Sequence, residues 1–196
     1  TIAKEIESLH FHNQYEDAIA VAEQQLKVDA QDWPVLAWKA LCLYRTGDQT
    51  AGQWMIEAIL ERNPSQPQAL RARGVMKDLQ GDLDEAIRDY NEAIRLDEKF
   101  ALAYNNRGNA YYKKGDLDAA IRDYSEAVRQ DEKYAWAYNN RGIAYSDKGD
   151  LDAAICDYSE AIRLDGKNAA VYINRGIAYD DKGDLDAAIR DYSEAI

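Results

Sequence analysis

Cysteine, histidine and proline are scarce in this sequence of 196 residues, which has two cysteines, two histidines and three prolines. Cys42 and Cys156 are far apart, and no cysteine or histidine pair has the spacing of a metal site, so neither a disulfide framework nor bound zinc is expected. His10 and His12 are two residues apart on a predicted helix and therefore point in different directions. We predict packing roles for both cysteines, surface or packing roles for the histidines, and no metal or cofactor.

Basic residues are outnumbered and long apolar runs are lacking. The 24 lysines and arginines face 36 aspartates and glutamates, a formal charge of -12 whose field repels phosphate backbones, so nucleic acid is not expected as a partner. No uncharged apolar run approaches the roughly 20 residues that cross a bilayer, so membrane insertion is not expected. The sequence starts at Thr1 without the features of a signal peptide, and an upstream segment could have been removed. The compartment therefore stays open, with the cytoplasm slightly favoured.

The residue arrangements that catalysis needs are also lacking. Acidic residues are plentiful, but the repeated DLDAA acids stand at predicted helix starts, and no paired acid and base can be recognised. No glycine-rich loop for phosphate binding is found either. The chain is therefore predicted not to be an enzyme.

What the sequence does contain is a repeat of 34 residues. The segment AYNNRGNAYYKKGDLDAAIRDYSEAV from Ala103 recurs as AYNNRGIAYSDKGDLDAAICDYSEAI from Ala137. Further clear copies begin at Ala69 and Val171, and two less regular copies precede them. We predict two divergent units in residues 1–66 and four regular units in residues 67–196, the last of them truncated.

Each copy has the pattern of two helices. Small and apolar residues recur at helical spacing, as at Tyr104, Gly108 and Tyr111. Gly115 can adopt the left-handed conformation that ends the first helix, and Asp116 can cap the free amides of the second. Because both positions recur in the other copies, the sequence predicts a series of helix pairs, each joined by a tight turn.

These features resemble the tetratricopeptide-repeat family. The resemblance covers nearly the whole chain, is most specific from Gln68 onward, and rests on the following residues of one copy: Gly108, Tyr111, Ala120, Tyr124 and Ala127. It implies an all-α fold, a right-handed α-solenoid of stacked antiparallel helix pairs. The proline typical of the turn between units survives only as Pro64, which softens the later turns without changing the predicted fold.

One column departs from the family pattern, because arginine precedes the glycine of the first helix where a large apolar residue is usual. Its members are Arg73, Arg107, Arg141 and Arg175. One hypothesis is that each arginine lays its methylene stem on the core and pairs with a nearby carboxylate of the column Asp89, Asp123, Asp157 and Asp191. The other hypothesis is an exposed basic ladder that binds acidic groups of a partner.

The resemblance also implies a groove that is lined by the first helix of each unit and binds peptides or protein segments. Helical spacing places one set of side chains off the core stripe, on a predicted outward face. The candidate groove residues are Asn105, Asn106, Asn109, Tyr112, Trp136, Asn139, Asn140, Asp147, Asn174 and Asp181.

Within this set, Asn106, Asn140 and Asn174 repeat at the 34-residue period. One hypothesis is that their amides hydrogen-bond the backbone of an extended peptide without reading its side chains. The other is that they bond the solenoid's own backbone or face water. The sequence leaves both open.

The net charge changes along the regular copies, from zero over residues 101–134 to -2 over 135–168 and -3 over 169–196. A neutral or basic ligand is therefore favoured over an acidic one. The predicted function is a non-catalytic protein–protein interaction scaffold that binds an extended peptide or protein segment in its concave groove. Two alternatives stay open: a substrate-recruiting arm of a larger enzyme, and a self-assembly module that forms homo-oligomers through exposed solenoid ends.

Overall fold

The fold is all-helical. The computed structural model describes residues 2–195, in which twelve helices and no strands occur. The helices of the first half are α1 (Ile2–Phe11), α2 (Tyr15–Leu26), α3 (Trp33–Arg45), α4 (Gln49–Arg62), α5 (Pro67–Gln80) and α6 (Leu83–Leu96). Those of the second half are α7 (Ala101–Lys113), α8 (Leu117–Gln130), α9 (Ala135–Asp147), α10 (Leu151–Leu164), α11 (Ala169–Asp181) and α12 (Leu185–Glu194).

The chain divides into two compact units, the first up to Glu98 and the second from Lys99. In the first unit, the helices pack as the pairs α1/α2, α3/α4 and α5/α6, and α3 contacts both α1 and α5. In the second unit, the pairs are α7/α8, α9/α10 and α11/α12, and α9 contacts both α7 and α11. Successive pairs therefore stack within each unit, as the predicted solenoid of helix pairs requires. The predicted division of the repeats at residues 66 and 67 stays a prediction.

The turn inside each regular pair has the predicted glycine, and three of the four also have the predicted aspartate cap, since Asp82 makes no side-chain cap hydrogen bond within the described residues. Gly81, Gly115, Gly149 and Gly183 have φ between +80° and +90°, the left-handed region that favours glycine. The Asp116 carboxylate accepts a hydrogen bond from the Ala119 amide at 3.0 Å, and Asp150 and Asp184 cap α10 and α12 in the same way. The first turn differs, because its left-handed residue is Asn13 with φ of 58°.

Glycine also allows the two helices of a pair to approach closely. A Cβ atom on Gly108 would lie 2.7 Å from the Tyr124 ring, which is closer than carbon atoms pack. The same contact recurs between Gly142 and Tyr158, and also in the first and last regular pairs. The two helices of each regular pair therefore cross closely at this glycine, opposite the ring of a tyrosine.

Each unit has its own apolar interior. In the first unit, Ile6, Leu41, Ile56 and Tyr90 are almost completely buried. The interior of the second unit is built from small residues around two tyrosines, Tyr124 and Tyr158, with Val171 of α11 packed onto the helices of the preceding pair. Among the residues described, no helix combines the length and the apolar character needed to cross a membrane.

Candidate functional site

The arginine column forms ion pairs inside the helix pairs. In α9, Arg141 Nε donates to Asp157 Oδ2 at 2.7 Å and Arg141 Nη2 donates to Asp157 Oδ1 at 2.7 Å, a two-pronged contact that fits a planar guanidinium. The same geometry recurs in every regular pair, with the partners Arg73–Asp89, Arg107–Asp123 and Arg175–Asp191. The hypothesis that these arginines pair with the aspartate column is therefore confirmed.

Within the second unit, the same arginines also connect one helix pair to the preceding one. Arg141 Nη1 donates to the Ser125 hydroxyl of α8 at 3.1 Å, and Arg175 Nη1 donates to the Ser159 hydroxyl of α10 at 3.0 Å. The side chains of Arg107, Arg141 and Arg175 are only 18–19% exposed. Because their donors serve intrachain acceptors, the alternative of an exposed basic ladder receives no support.

A second ion pair links the turns of neighbouring pairs. Lys148 Nζ contacts Asp118 Oδ1 at 2.5 Å, and Lys182 forms the same contact with Asp152. The hydrogen bond and the charge of Asp118 raise the pKa of Lys148 above its ordinary value. These exposed contacts are individually weak, but they neutralise the lysines beside the first helices.

The asparagines of the first helices form a hydrogen-bonded network. Asn140 Nδ2 donates to Asn105 Oδ1 at 3.1 Å and to Asn109 Oδ1 at 3.2 Å, and Asn174 Nδ2 donates to Asn139 Oδ1 at 3.1 Å. Each contact joins one first helix to the preceding one in the second unit. We call the three asparagines that repeat at the 34-residue period, Asn106, Asn140 and Asn174, the asparagine row. Two of its members therefore use amide hydrogens to bond neighbouring side chains of the same chain.

The network gives a stability prediction for the first unit. The buried Tyr124 hydroxyl donates to Asn109 Oδ1 at 2.8 Å. The fully buried Tyr90 hydroxyl has no hydrogen-bond partner among residues 2–195, because Val75 occupies the position of Asn109. Val75→Asn supplies the missing acceptor and is expected to stabilise the first unit by about 1 kcal/mol in urea unfolding. In a Tyr90→Phe background the same change should bring no gain; an equal gain there would contradict this explanation.

The predicted groove residues fall into two groups. Asn105 and Asn139 are 3% and 7% exposed, so the predicted outward face is wrong for these two. They are buried because the next first helix packs against the face on which they lie and donates an amide hydrogen to each. Helical spacing within one repeat could not reveal this, since the cover comes from a helix about 35 residues later.

The other group reaches the surface of the second unit. Trp136 is 37% exposed and borders a small cleft together with Asn168 and Val171. The Tyr112 hydroxyl donates to Asp147 Oδ2 at 2.5 Å, and this hydrogen bond raises the pKa of Tyr112. The remaining members are half-buried or exposed: Asn106, Asn109, Asn140, Asn174 and Asp181.

The only cysteine and histidine in contact within the described residues are Cys42 and His10, in the first unit. Cys42 Sγ lies 3.6 Å from His10 Nδ1. Burial raises the pKa of the Cys42 thiol to about 12, whereas burial and the charges of Arg71 and Arg45 lower the pKa of His10 to about 3. Both groups are therefore neutral near pH 7, which is not the thiolate and imidazolium pair of a cysteine nucleophile.

The packing prediction is confirmed for Cys42, which is buried, but it is wrong for Cys156, which is exposed. Cys156 occupies the position of Arg122 and Arg190 in the neighbouring copies, and both of these are exposed. An alignment of the repeats could therefore have predicted that Cys156 is exposed, because arginine occupies its position in the neighbouring copies. Over residues 2–195, no group of three or more metal-binding side chains lies close enough to hold an ion.

Family models describe most of these repeats. The model of the TPR repeat matches residues 79–115, 108–149 and 144–181, and a second model, of the tetratricopeptide repeat, matches residues 169–196. The chain is 29% identical to tetratricopeptide repeat protein 6 of Homo sapiens over 87 residues, which are 44% of this chain and 16% of that protein. The chain thus matches about a sixth of the length of this curated relative.

Solved structures share the arrangement of helices. The crystal structure of MamA superposes with a TM-score of 0.70 at 28% identity, covering 79% of this chain and 91% of that chain. Cut9 in the APC/C hetero-tetramer Cut9–Hcn1 gives 0.85 at 18% identity, covering 99% and 37%, and the thermophilic TPR protein TTC0263 of Thermus thermophilus gives 0.73 at 19% identity, covering 90% and 96%. At their lower identity, the last two show a shared fold alone.

Proposed function

Because the chain belongs to the tetratricopeptide-repeat family, a family of protein–protein interaction scaffolds, we propose that it binds an extended peptide or protein segment without catalysing a reaction. The proposed binding surface is the accessible edge of the first helices α7, α9 and α11. We refer to it as the first-helix surface, with these members: Asn106, Tyr112, Trp136, Asn140, Asp147, Asn174 and Asp181.

The observation that carries this proposal is a difference between the constant and the variable positions of the repeat. The residues that hold each pair together are the same in successive copies, as Gly142, Arg141 and Asp157 illustrate. Part of the accessible edge differs between copies, since the position of Trp136 in α9 is occupied by Leu102 in α7 and Ala170 in α11, although the asparagines at 106, 140 and 174 are constant. A large, partly exposed indole beside a cleft is a typical anchor point for a ligand side chain.

Charge favours a neutral or basic ligand. Asp147 and Asp181 are exposed at one end of the first-helix surface, while the nearby Lys148 and Lys182 are already paired with aspartates. A cationic ligand would gain from this excess of negative charge, and an acidic ligand would be repelled.

We propose a smaller role in ligand binding for the asparagine row than the sequence suggested, because hydrogen bonds within the chain already use part of its amides. Asn140 already uses its amide nitrogen for two acceptors, so it can contribute to a ligand mainly through its oxygen. Asn174 donates to one acceptor and has a second amide hydrogen to offer. We therefore propose that the row aligns the first helices and that Asn106 and Asn174 supply its ligand contacts.

A selection experiment tests this function. A phage library of random 12-residue peptides is selected on the immobilised chain, and the affinities of enriched peptides are measured by fluorescence anisotropy. We expect neutral or basic peptides, and a loss of about tenfold in affinity for the Trp136→Ala variant, since truncation of an anchor residue costs on the order of 1–2 kcal/mol.

The matched control is Arg122→Ala, which removes an exposed side chain from the second helix α8. This variant should bind the selected peptides like the original chain. Failure to enrich any peptide, or equal affinity for Trp136→Ala, would refute the assignment of the first-helix surface.

A further inference from the structure

An exposed tryptophan lies on the second helix of the middle pair in the first unit. Trp54 of α4 is 69% exposed, more than any other tryptophan of the chain. The pairs α1/α2 and α5/α6 both pack against the pair α3/α4, so this exposure does not come from a missing neighbour. The side of α4 that carries Trp54 is therefore not a face on which the pairs stack.

The repeat leaves this position exposed in every copy. Its equivalents in the other second helices are all exposed: Ala20, Arg88, Arg122, Cys156 and Arg190. Cys156 is exposed although the pair α9/α10 has a neighbouring pair on both sides within the second unit. Stacking of repeats thus leaves this side of a second helix uncovered, and a further repeat of the same chain is not what covers Trp54.

The exposed side of α4 differs from that of the regular copies in its charges. In α6, α8 and α10, a glutamate pairs with the arginine three residues later: Glu92–Arg95, Glu126–Arg129 and Glu160–Arg163. The equivalents in α4 are Ala58 and Glu61, so an acid replaces the arginine and a methyl group replaces its partner. Glu57 and Ala58 lie about one helical turn after Trp54, and Glu61 lies about two turns after it. We call these four residues, Trp54, Glu57, Ala58 and Glu61, the α4 surface.

The two carboxylates of the α4 surface keep their negative charge for a ligand. Glu57 and Glu61 are exposed, and Glu61 forms no hydrogen bond or ion pair within residues 2–195. The hydrogen bond with Asp89 is the main cause that raises the pKa of Arg73, and Glu57 contributes to it by its charge. Because Arg73 already donates two hydrogen bonds to Asp89, its charge is balanced there. Arg62 follows Glu61 directly and is therefore turned about 100° away from it around the helix.

An arginine side chain fits both parts of the α4 surface. A planar guanidinium stacks on the face of an aromatic ring and also binds carboxylates. The first unit already contains such a stack, since Arg71 Cζ lies 4.3 Å from the ring centre of Trp38. A second guanidinium on the exposed ring of Trp54 would lie on the same side of α4 as Glu57 and Glu61. An acidic side chain would be repelled at this place.

We propose that the α4 surface binds a basic segment of a partner protein, with an arginine stacked on Trp54 between Glu57 and Glu61. The charge of the surroundings agrees, since residues 1–98 carry a net charge of -8, out of -12 for the whole chain. The α4 surface lies on a second helix of the first unit and is distinct from the first-helix surface of the second unit. Binding at one does not depend on binding at the other.

A subtractive selection tests the proposal. Random 12-residue peptides on phage are selected on the whole chain with Trp136→Ala, which lacks the anchor of the first-helix surface. Phage that bind the same chain with Trp54→Arg are removed first, and this variant carries the residue that Arg88 and Arg122 show the fold to accept. We expect the enriched peptides to contain arginine. Their affinity, measured by fluorescence anisotropy, should fall about tenfold when citrulline, the neutral analogue, replaces that arginine.

Variants of the chain then locate the contact. Glu57→Gln together with Glu61→Gln should weaken the arginine peptides about tenfold, whereas Arg122→Ala, at the equivalent position of α8, should leave their affinity unchanged. The proposal is overturned if no peptide survives the subtraction, if citrulline peptides bind as tightly as arginine peptides, or if the double glutamine variant binds like the original chain. It is also overturned if light scattering shows that the chain alone dimerises and that Trp54→Arg prevents this, since the occupant is then a second copy.

Discussion

Arg141→Met is expected to destabilise the second unit by about 3 kcal/mol, because it leaves the buried Asp157 carboxylate without its partner. Asp157 is 7% and Arg141 18% exposed on the side-chain scale, so solvent can replace little of the lost contact. Asp157→Leu alone should have a similar cost, since it leaves the guanidinium unpaired. The measurement is urea unfolding with hydrogen exchange of peptides from α9 and α10.

The double variant distinguishes the cost of an orphaned charge from the worth of the pair. Arg141→Met together with Asp157→Leu replaces the ion pair by apolar side chains, and we expect it to be close to the original chain in stability. Ser125 keeps a partner in this variant, because its hydroxyl also donates to the Ile121 carbonyl at 2.7 Å. Arg163→Met, which removes an exposed arginine paired with Glu160, should have no measurable effect. Additive losses in the double variant would mean that Arg141 and Asp157 contribute independently, and would contradict the explanation by an orphaned charge.

Acidification from pH 7 to pH 5 is expected to cost the first unit about 2 kcal/mol through His10 alone. Burial is the main cause that lowers the pKa of His10 from 6.5 to about 3, and Arg71 and Arg45 contribute by their charge. Because the folded-state pKa lies below the unfolded one, the unfolded chain takes up the proton first. Stability is therefore complete above pH 6.5 and is lost progressively as the pH falls towards 3.

The tryptophans allow this loss to be measured. In a Trp136→Phe background, the remaining tryptophans, Trp33, Trp38 and Trp54, all lie in the first unit. Urea unfolding followed by tryptophan fluorescence between pH 7 and pH 5 then reports that unit. His10→Gln should flatten the pH dependence in this range, while the exposed His12→Gln should not. A slope that persists in His10→Gln would assign the effect to other groups.

Those features of the fold that depend on one repeat could be predicted from the sequence. Gly115 and Asp116 predict the turn because a left-handed stop and a helix cap are local requirements, and both are found. The partnership of Arg141 with Asp157 could be inferred because both residues recur together in every regular copy. The turn could be predicted from the conformational preferences of single residues, and the ion pair from the recurrence of both partners in each copy.

The features that depend on two successive repeats were not predicted. Burial of Asn105 follows from the approach of Asn140, and the orientation of Arg141 is completed by Ser125 of the preceding pair. Helical periodicity describes one helix at a time and does not say which side of a helix its neighbour covers. The ion pair between Lys148 and Asp118 could have been found, because both columns recur at a constant separation.

Three kinds of contact between pairs in the second unit have a common direction, in which the later pair supplies the donor and the earlier pair the acceptor. Asn140 donates to Asn105, Arg141 to Ser125 and Lys148 to Asp118, and α11 repeats this set on α9 and α10. If residues 135–168 were excised, Asn174, Arg175 and Lys182 would face the same three acceptors that α9 uses now. The array can therefore lose or gain one copy in evolution by recombination in register. The donors and acceptors at the new interface between pairs would already match.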